Sequence, residues 1–75
     1  MIRIDVDART MRCPMPLLKL KQALANVSLG DEIRLSATDA GAWRDVPAFV
    51  SLTGHRLIEK SHISDEYYFV VEKGE

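Results

Sequence analysis

Hydrophobic and polar residues alternate in two separate segments of the chain. Apolar side chains occupy every second position from Ile2 to Val6, and again from Ile33 to Ala37 within the segment 31–39. A period of two with one polar face predicts a strand that is half buried. Because both polar faces are clean, we expect one side of the resulting sheet to meet water.

A helix is predicted between these two strands, because apolar residues recur there at intervals of three and four. The apolar stripe consists of Leu17, Leu20, Leu24 and Val27. Pro14 stands at the predicted start and Gly30 just past the predicted end, an arrangement expected of helix termini. The strand–helix–strand unit makes the first two strands parallel.

A second helix is predicted over residues 44–53. Its apolar face consists of Val46, Phe49, Val50 and Thr53. Gly54 can supply a left-handed cap at its end, and Asp39 or Asp45 can cap its start. Pro47 is compatible with a helix only in the first turn, so we expect it there.

The last part of the chain predicts two strands, over residues 56–61 and 67–71, joined by a turn at 64–66. The final strand is apolar on both faces, which suits an interior position. We therefore expect an α+β fold: a two-layer α/β sandwich of order β-α-β-α-β-β, with a four-stranded mixed sheet in the strand order 1-2-4-3. We expect both helices on one face of this sheet and a single domain over residues 1–75.

Length and composition exclude several classes of protein. The chain has 75 residues, too few for a doubly wound nucleotide-binding enzyme or a barrel. It is 47% hydrophobic and 28% charged, which is too apolar for disorder. A net charge of −1 creates no basic field for nucleic acid or an anionic membrane. No apolar run approaches the roughly 20 residues of a membrane span, and residues 1–5 lack a signal-peptide stretch.

The single cysteine and the uneven charge refine this picture. One cysteine excludes an internal disulfide, a CxxC redox pair and a cysteine-rich zinc site, and we expect neither a metal nor a cofactor. A lone thiol suits the reducing cytoplasm. Residues 1–30 carry a net charge of +3 and residues 31–75 a net charge of −4, and the cysteine lies in the basic half.

The cluster Cys-Pro-Met-Pro at residues 13–16 stands where the first loop meets the first helix. A helix start can take two prolines because its first four N–H groups lack partners within the helix. Cys13 falls at or next to the N-cap, where the helix dipole and free N–H groups favour an anion. Arg12 is adjacent and Arg9 lies on the same loop, so we expect a readily ionised, nucleophilic thiol. The alternative is an inert, buried cysteine.

The sequence supplies no partner set for ordinary cysteine catalysis. A hydrolase needs a base within hydrogen-bond reach of the thiol, and His55 and His62 lie late in the chain, where we expect solvated or locally bonded side chains. A lone cysteine also lacks the resolving partner of dithiol redox chemistry. Disulfide exchange, metal binding through one ligand and persulfide carriage remain open.

The segment 7–16, with the sequence DARTMRCPMP, resembles the signature of the TusA/SirA family of small sulfur-carrier proteins. That signature runs from a DARG-like turn into the C-P-x-P motif at the first helix. Further matches lie at residues 30–31, 39–42, 44–47, 54–55 and 67–73, so the resemblance covers essentially the whole chain. Ala40, Val50 and Arg56 depart from common family residues, which leaves the pathway open.

The resemblance implies a two-layer fold similar to the C-terminal domain of translation initiation factor three, and a sulfurtransferase that acts as a persulfide carrier. In the family, a persulfide forms on the motif cysteine, here Cys13. Its sulfur comes from a cysteine desulfurase or another donor and passes to an acceptor. The best-known use is 2-thiouridine formation in tRNA, and other members serve molybdenum cofactor synthesis or sulfur oxidation. Whether such a carrier turns over alone is left open.

We expect several neighbours of Cys13 to support this role. The supporting residues are Asp7, Arg9, Arg12, Pro14 and Pro16, and the partner-docking residues are Lys19 and Lys21. Arg9 and Arg12 would stabilise the thiolate or persulfide and steer an acidic partner, whereas Asp7 would brace the loop. The alternative for each basic residue is ordinary solubilising charge.

Two other functions remain open from the sequence. One is a non-catalytic regulatory module of the same fold that contacts RNA or protein, although the negative net charge and five aromatic residues argue against RNA. The other is a subunit of a thiosulfate-uptake or redox-sensing system. Because a carrier presents one helix end to successive partners through weak interfaces, we expect a monomer that contacts no membrane and no nucleic acid directly.

Overall fold

The computed structural model of the protein describes residues 3–12 and 14–74. Its elements in this part of the chain are β1 (Arg3–Ala8), α1 (Met15–Ala25), β2 (Glu32–Ala37), α2 (Ala42–Ser51), β3 (Arg56–Ile63) and β4 (Glu66–Glu72). The strands form one mixed sheet in the order β1-β2-β4-β3, with β1 parallel to β2 and β4 antiparallel to both of its neighbours. The predicted α+β topology is confirmed. Ile2, which we assign to the first strand, lies outside the described residues.

The strand register divides the sheet into two faces of different character. On the face toward the helices, one row across the sheet consists of Ala8, Ala37, Tyr67 and His62, and the next of Val6, Leu35, Phe69 and Lys60. On the opposite face, which we call the open face, the corresponding rows are Asp7, Ser36, Tyr68 and Ser61, then Asp5, Arg34, Val70 and Glu59. Polar and charged side chains therefore dominate the open face, as the alternation in the first two strands predicts.

The helices cover one face of the sheet and enclose a small apolar core. Its largest fully buried side chains are Phe69, Leu20, Ile33, Leu35, Val46 and Val71. β4 contributes two of these, which confirms the interior position that its apolar sequence predicts. Among the residues that the structure describes, no polar or charged residue is buried. Neither helix in this part of the chain combines the length and apolar character of a membrane span.

α1 is shorter than its apolar stripe suggests. The helix ends at Ala25 with Asn26 as its C-cap residue, so Val27 lies beyond it, although it still packs against the core. The chain then turns through Gly30, whose φ of +89° favours glycine. The N–H of Gly30 donates to the carbonyl of Lys73 at 3.0 Å. Gly30 therefore forms the turn before β2 and not the end of the helix.

The predicted start of α2 is wrong by two residues. The preceding turn winds directly into the helix through three consecutive i to i+3 backbone hydrogen bonds over residues 39–44. Gly41, rather than Asp39 or Asp45, is consequently the N-cap residue. Pro47 lies inside the helix and not in its first turn. It lacks the N–H of a regular helical residue, yet the helix continues past it because its apolar face packs on the sheet.

β3 and β4 form a tighter hairpin than the sequence predicts. The strands run over Arg56–Ile63 and Glu66–Glu72, so the turn shrinks to residues 64–65. Ser64 adopts a φ of +54°, in the left-handed region. The register shifts within residues 57–59, where a bulge interrupts the edge strand β3. Bulges of this kind are common at sheet edges, where they discourage further pairing.

Replacing Leu20 with alanine tests the core. Leu20 is fully buried, whereas Leu52 is 87% exposed. We expect Leu20→Ala to lower the free energy of unfolding by about 2–5 kcal/mol, because it removes buried methyl groups and leaves a cavity. The same change at Leu52 should alter stability by less than about 0.5 kcal/mol. Urea denaturation followed by circular dichroism measures both, and equal effects of the two changes would contradict this packing.

Candidate functional site

The loop that joins β1 to α1 lies at the edge of the sheet where the two parallel strands end. Ala8 and Ala37 are the paired last residues of these strands. Just beyond them, Thr10 has a φ of +68°, and its N–H donates to the hydroxyl of Thr38 at 2.8 Å. A cleft of about 270 Å³ opens here, lined by Thr10, Met11, Arg12, Thr38 and Asp39. Ligand sites of α/β proteins commonly lie at such carboxyl ends of strands.

Backbone hydrogen bonds hold the chain on either side of Cys13, which itself lies outside the described residues. Before it, the N–H of Met11 donates to the last carbonyl of β1 at 3.3 Å, and the Met11 side chain packs against the core. The carbonyl of Arg12 accepts a hydrogen bond from the N–H of Met15 at 2.8 Å. After it, Pro14 is the N-cap residue of α1. The backbone is therefore anchored on both sides of position 13.

The start of α1 offers fewer N–H donors than we expect. Pro14 and Pro16 have no N–H, and the N–H of Met15 is engaged by Arg12. The free N–H groups expected at this helix start are therefore absent from residues 14–16, although the helix dipole still favours an anion there. Pro16 is buried and faces Ala42 of α2 across a narrow crevice, so it anchors the start of the helix.

Asp7 and Arg9 form a brace at the end of β1. The Oδ1 atom of Asp7 accepts hydrogen bonds from the backbone N–H of Arg9 at 3.0 Å and from its Nε at 2.9 Å. The Oδ2 atom accepts a third from Nη2 of Arg9 at 3.1 Å. The side-chain bonds from Arg9, followed by its backbone bond, lower the pKa of Asp7 from 3.8 to about 2. The same pairing raises the pKa of Arg9, because the side-chain hydrogen bond to Asp7 favours the charged guanidinium.

A second carboxylate reaches Arg9 from β4. The Oε1 atom of Glu66 lies 3.8 Å from Nη1 of Arg9, and the hydroxyl of Tyr68 donates a hydrogen bond to the same oxygen. That hydrogen bond raises the pKa of Tyr68 above its usual value. Arg34 on β2 lies over the Tyr68 ring, 5.3 Å from its centre. Together these side chains line a cleft of about 250 Å³ on the open face.

The residue pattern predicts no functional role for Glu66 or Tyr68. Their spacing of two does place both on one face of β4. What the sequence does not show is that Arg9 lies within reach of that face. The reach follows from strand register, because Asp7, Ser36 and Tyr68 share one row of the open face.

The other expected basic residues differ in their surroundings. Arg12 is exposed, and within residues 3–12 and 14–74 no ion pair engages its guanidinium. Lys19 is half-buried on α1. Lys21 is exposed, and its Nζ lies 5.2 Å from the centre of the Phe49 ring on α2. Lys21 is therefore directed toward the second helix.

The two histidines are bonded or stacked locally. Nδ1 of His55 accepts a hydrogen bond from the N–H of Gly74 at 3.0 Å. His62 stacks on Tyr67 with 4.1 Å between ring centres. Its strand, β3, lies three positions from β1 in the sheet, so the two strands are roughly 14 Å apart at the usual strand spacing. Neither histidine is therefore placed as a base for the β1–α1 loop. Half-buried Trp43 packs against the core.

Comparison with known families decides what kind of chain this is. The family model described as "Sulfurtransferase TusA" matches residues 4–73, nearly the whole chain. This chain belongs to the TusA family. The matched region includes the cluster at residues 13–16 and the loop before it, so the resemblance seen in the sequence is confirmed.

Relatives of this TusA-family chain carry related names. A sulfur carrier protein TusA from Allochromatium vinosum is 33% identical over 69 residues, which cover 92% of this chain and 91% of that protein. A putative sulfur carrier protein from Neisseria meningitidis is 39% identical over 67 residues, covering 89% and 90%. The putative sulfur carrier protein YrkI of Bacillus subtilis is 35% identical over 69 residues, covering 92% of each chain. The similarity thus extends over nearly the full length of all three.

The structure distributes five expected site residues of this TusA-family chain over three places. Asp7 and Arg9 lie on the open-face side of the β1–α1 loop, where they contact each other. Pro14 and Pro16 lie at the start of α1, with Pro16 against the second helix. Arg12 lines the third place, the cleft at the carboxyl ends of the parallel strands.

The depressed pKa of Asp7 leads to a testable prediction. We expect its carboxyl group to titrate at about 2 in the wild type and to return toward 3.8 in Arg9→Gln, because the bonds from Arg9 favour the ionised form. Since the pKa is lower in the folded state, this stabilisation is fully present above 3.8 and is lost as the pH falls through about 2. Carboxyl-carbon NMR titration measures both values.

Arg3→Gln is the matched control for this titration. Arg3 lies at the other end of β1 and pairs with Glu32 at 2.8 Å, so its loss should leave the pKa of Asp7 unchanged. If Asp7 keeps its low pKa in Arg9→Gln, the brace at the end of β1 is wrong.

Proposed function

We propose that this protein is a sulfur carrier that holds the transferred atom as a persulfide on Cys13. The thiolate of Cys13 attacks the terminal sulfur of a donor persulfide, the sulfur–sulfur bond of the donor breaks, and the donor cysteine leaves as a thiolate. An acceptor thiolate then attacks the outer sulfur on Cys13 in the same way. Each exchange conserves electrons overall, so the relay needs no redox cofactor.

The anchored loop around position 13, in a chain of the TusA family, is the observation that carries this proposal. The backbone is tied before it at Met11 and across it between Arg12 and Met15, beside a cleft of about 270 Å³. Sulfur exchange requires a nucleophilic thiolate and access for two partners, and it requires no protein base once the thiol is ionised. The positions of the histidines agree with such chemistry.

Arg12 is the cation that we assign to the sulfur anion. It is exposed, it lines the cleft, and its guanidinium has no ion pair in the described part of the chain. Arg9, in contrast, faces two carboxylates. The dipole of α1 adds a modest stabilisation of negative charge near its start, typically about 0.3–1 kcal/mol.

We assign partner docking to the outer side of α1 near its start. Met15 and Leu18 are 43% and 42% exposed there, and a spacing of three places them on the same side of the helix. Lys19 and Lys21 add positive charge to this helix, so a partner with an apolar contact surface and an acidic rim fits.

We propose a cysteine desulfurase or another persulfide-forming protein as the donor. The acceptor would belong to tRNA 2-thiouridine formation or a related sulfur pathway in the cytoplasm.

Incubation with a cysteine desulfurase and cysteine tests the carrier function. We expect the wild type to gain the mass of one sulfur atom, which a reducing agent removes. Cys13→Ser should gain none, because Cys13 is the only cysteine in the chain. Intact-mass spectrometry measures both proteins. An unmodified wild type, or an equal gain by Cys13→Ser, would overturn the proposal.

Arg12→Gln tests the source of anion stabilisation. Because one exposed charge interaction contributes roughly 0.2–1 kcal/mol, we expect the alkylation rate of Cys13 by iodoacetamide at neutral pH to fall by a factor of about 1.4 to 5. The rate at high pH, where the thiol is fully ionised, should not fall. Arg56→Gln is the control, since Arg56 pairs with Glu72 at the opposite end of the sheet. Equal rates in wild type and Arg12→Gln would remove Arg12 from this role.

A further inference from the structure

The open face of the sheet ties the β1–α1 loop to the last strand of the chain. Arg9 directly follows β1, and its guanidinium lies between two carboxylates. Asp7 accepts hydrogen bonds from its Nε and Nη2 at 2.9 and 3.1 Å. The Oε1 atom of Glu66, the first residue of β4, lies 3.8 Å from Nη1. Glu66 is thus the point at which β4 reaches the loop that leads to Cys13.

Glu66 is itself oriented by its own strand. The hydroxyl of Tyr68 donates a hydrogen bond to the Oε1 atom of Glu66, and Arg34 covers the Tyr68 ring at 5.3 Å. Glu66 also pairs with Ile63 across the two-residue turn of the hairpin. A paired strand, rather than a free loop, therefore presents this carboxylate to Arg9.

The charges around Arg9 argue for a positional role. Its single positive charge faces two carboxylates, Asp7 and Glu66, so the three groups together carry one net negative charge. Such a group does not attract a sulfur anion. Arg12 has no ion pair in the described part of the chain, so it is better placed for that task.

We propose that Glu66 is a positioning residue for the sulfur site. Acting through Arg9, it holds the segment before Cys13 against the open face and thereby fixes the direction from which partner proteins meet the thiol. Thr10, bonded to the loop after β2, and Met11, packed on the core, hold the same segment at other points. This inference rests on the sulfur-carrier function proposed above.

Glu66→Gln and Glu59→Gln form a matched pair for testing this role. Both side chains lie on the open face, but Glu59 sits on β3 opposite Val70 and has no ion pair among the residues described. We expect Glu66→Gln to lower kcat/KM for desulfurase turnover with the carrier as acceptor by a factor of about 1.4 to 5, the range typical of exposed ion pairs. The loss should appear mainly as a higher KM. Glu59→Gln should match the wild type.

Two further measurements separate positioning from electrostatics. The pH midpoint of Cys13 alkylation by iodoacetamide should be the same in wild type and Glu66→Gln, because this small reagent needs no docking. In an Arg9→Gln background, Glu66→Gln should cause no further loss, because its effect runs through Arg9. A shifted midpoint, an additive loss, or an equal loss in Glu59→Gln would overturn the proposal.

A spectroscopic measurement keeps this test apart from the test of sulfur carriage. Backbone NMR relaxation should show larger motion of residues 9–12 in Glu66→Gln but not in Glu59→Gln, while both variants remain folded by circular dichroism. If the wild type accepts no sulfur, the carrier function fails, and the relaxation comparison still decides whether Glu66 holds the loop. Unchanged relaxation in Glu66→Gln would show that it does not.

Discussion

The parallel pairing of β1 with β2 is the constraint on which the site depends. α1 makes this pairing possible by crossing from one strand to the next, and the burial of its Leu20 in the same core as Ile33 and Leu35 holds it on the sheet. Because both strands end in the same row, at Ala8 and its partner, the β1–α1 loop and the start of α2 meet at one edge. A register shift of one residue would exchange the core face for the open face and move the loop away from this edge.

The open face also explains why the uneven charge of the sequence is not all available for docking. The basic first part of the chain and the acidic remainder meet across this face, where Arg3 pairs with Glu32 at 2.8 Å and Arg9 lies 3.8 Å from Glu66. Part of the positive charge that suggests a basic docking surface is therefore offset within the molecule. Arg12 has no such pair among the residues described, which agrees with its proposed role beside the sulfur anion.

Residue patterns predict the order of elements and the strand order, because the alternation in β1 and β2 and the apolar character of β4 both reflect burial. They fail at the start of α2, which depends on a turn that winds through Gly41 and leaves no mark in the apolar period. The contact between Arg9 and Glu66 was beyond such patterns, since it requires the register of three strands. The sequence itself shows that Pro14 and Pro16 have no N–H to donate. The general rule for helix starts instead predicts free N–H groups at these positions.

Limited stabilisation of a sulfur anion suits a carrier better than strong stabilisation. A thiolate with a very low pKa is abundant but a poor nucleophile, and the best attacking thiol has a pKa near the ambient pH. At the start of α1 the two prolines remove N–H donors, and the charge of Arg9 is offset by its carboxylate partners. For the persulfide proposed on Cys13, the helix dipole and Arg12 would then be the stabilising groups. In the proposed relay, such a site would favour the thiolate while leaving the outer sulfur reactive, and the two prolines would fix the direction of the helix start instead of supplying N–H donors.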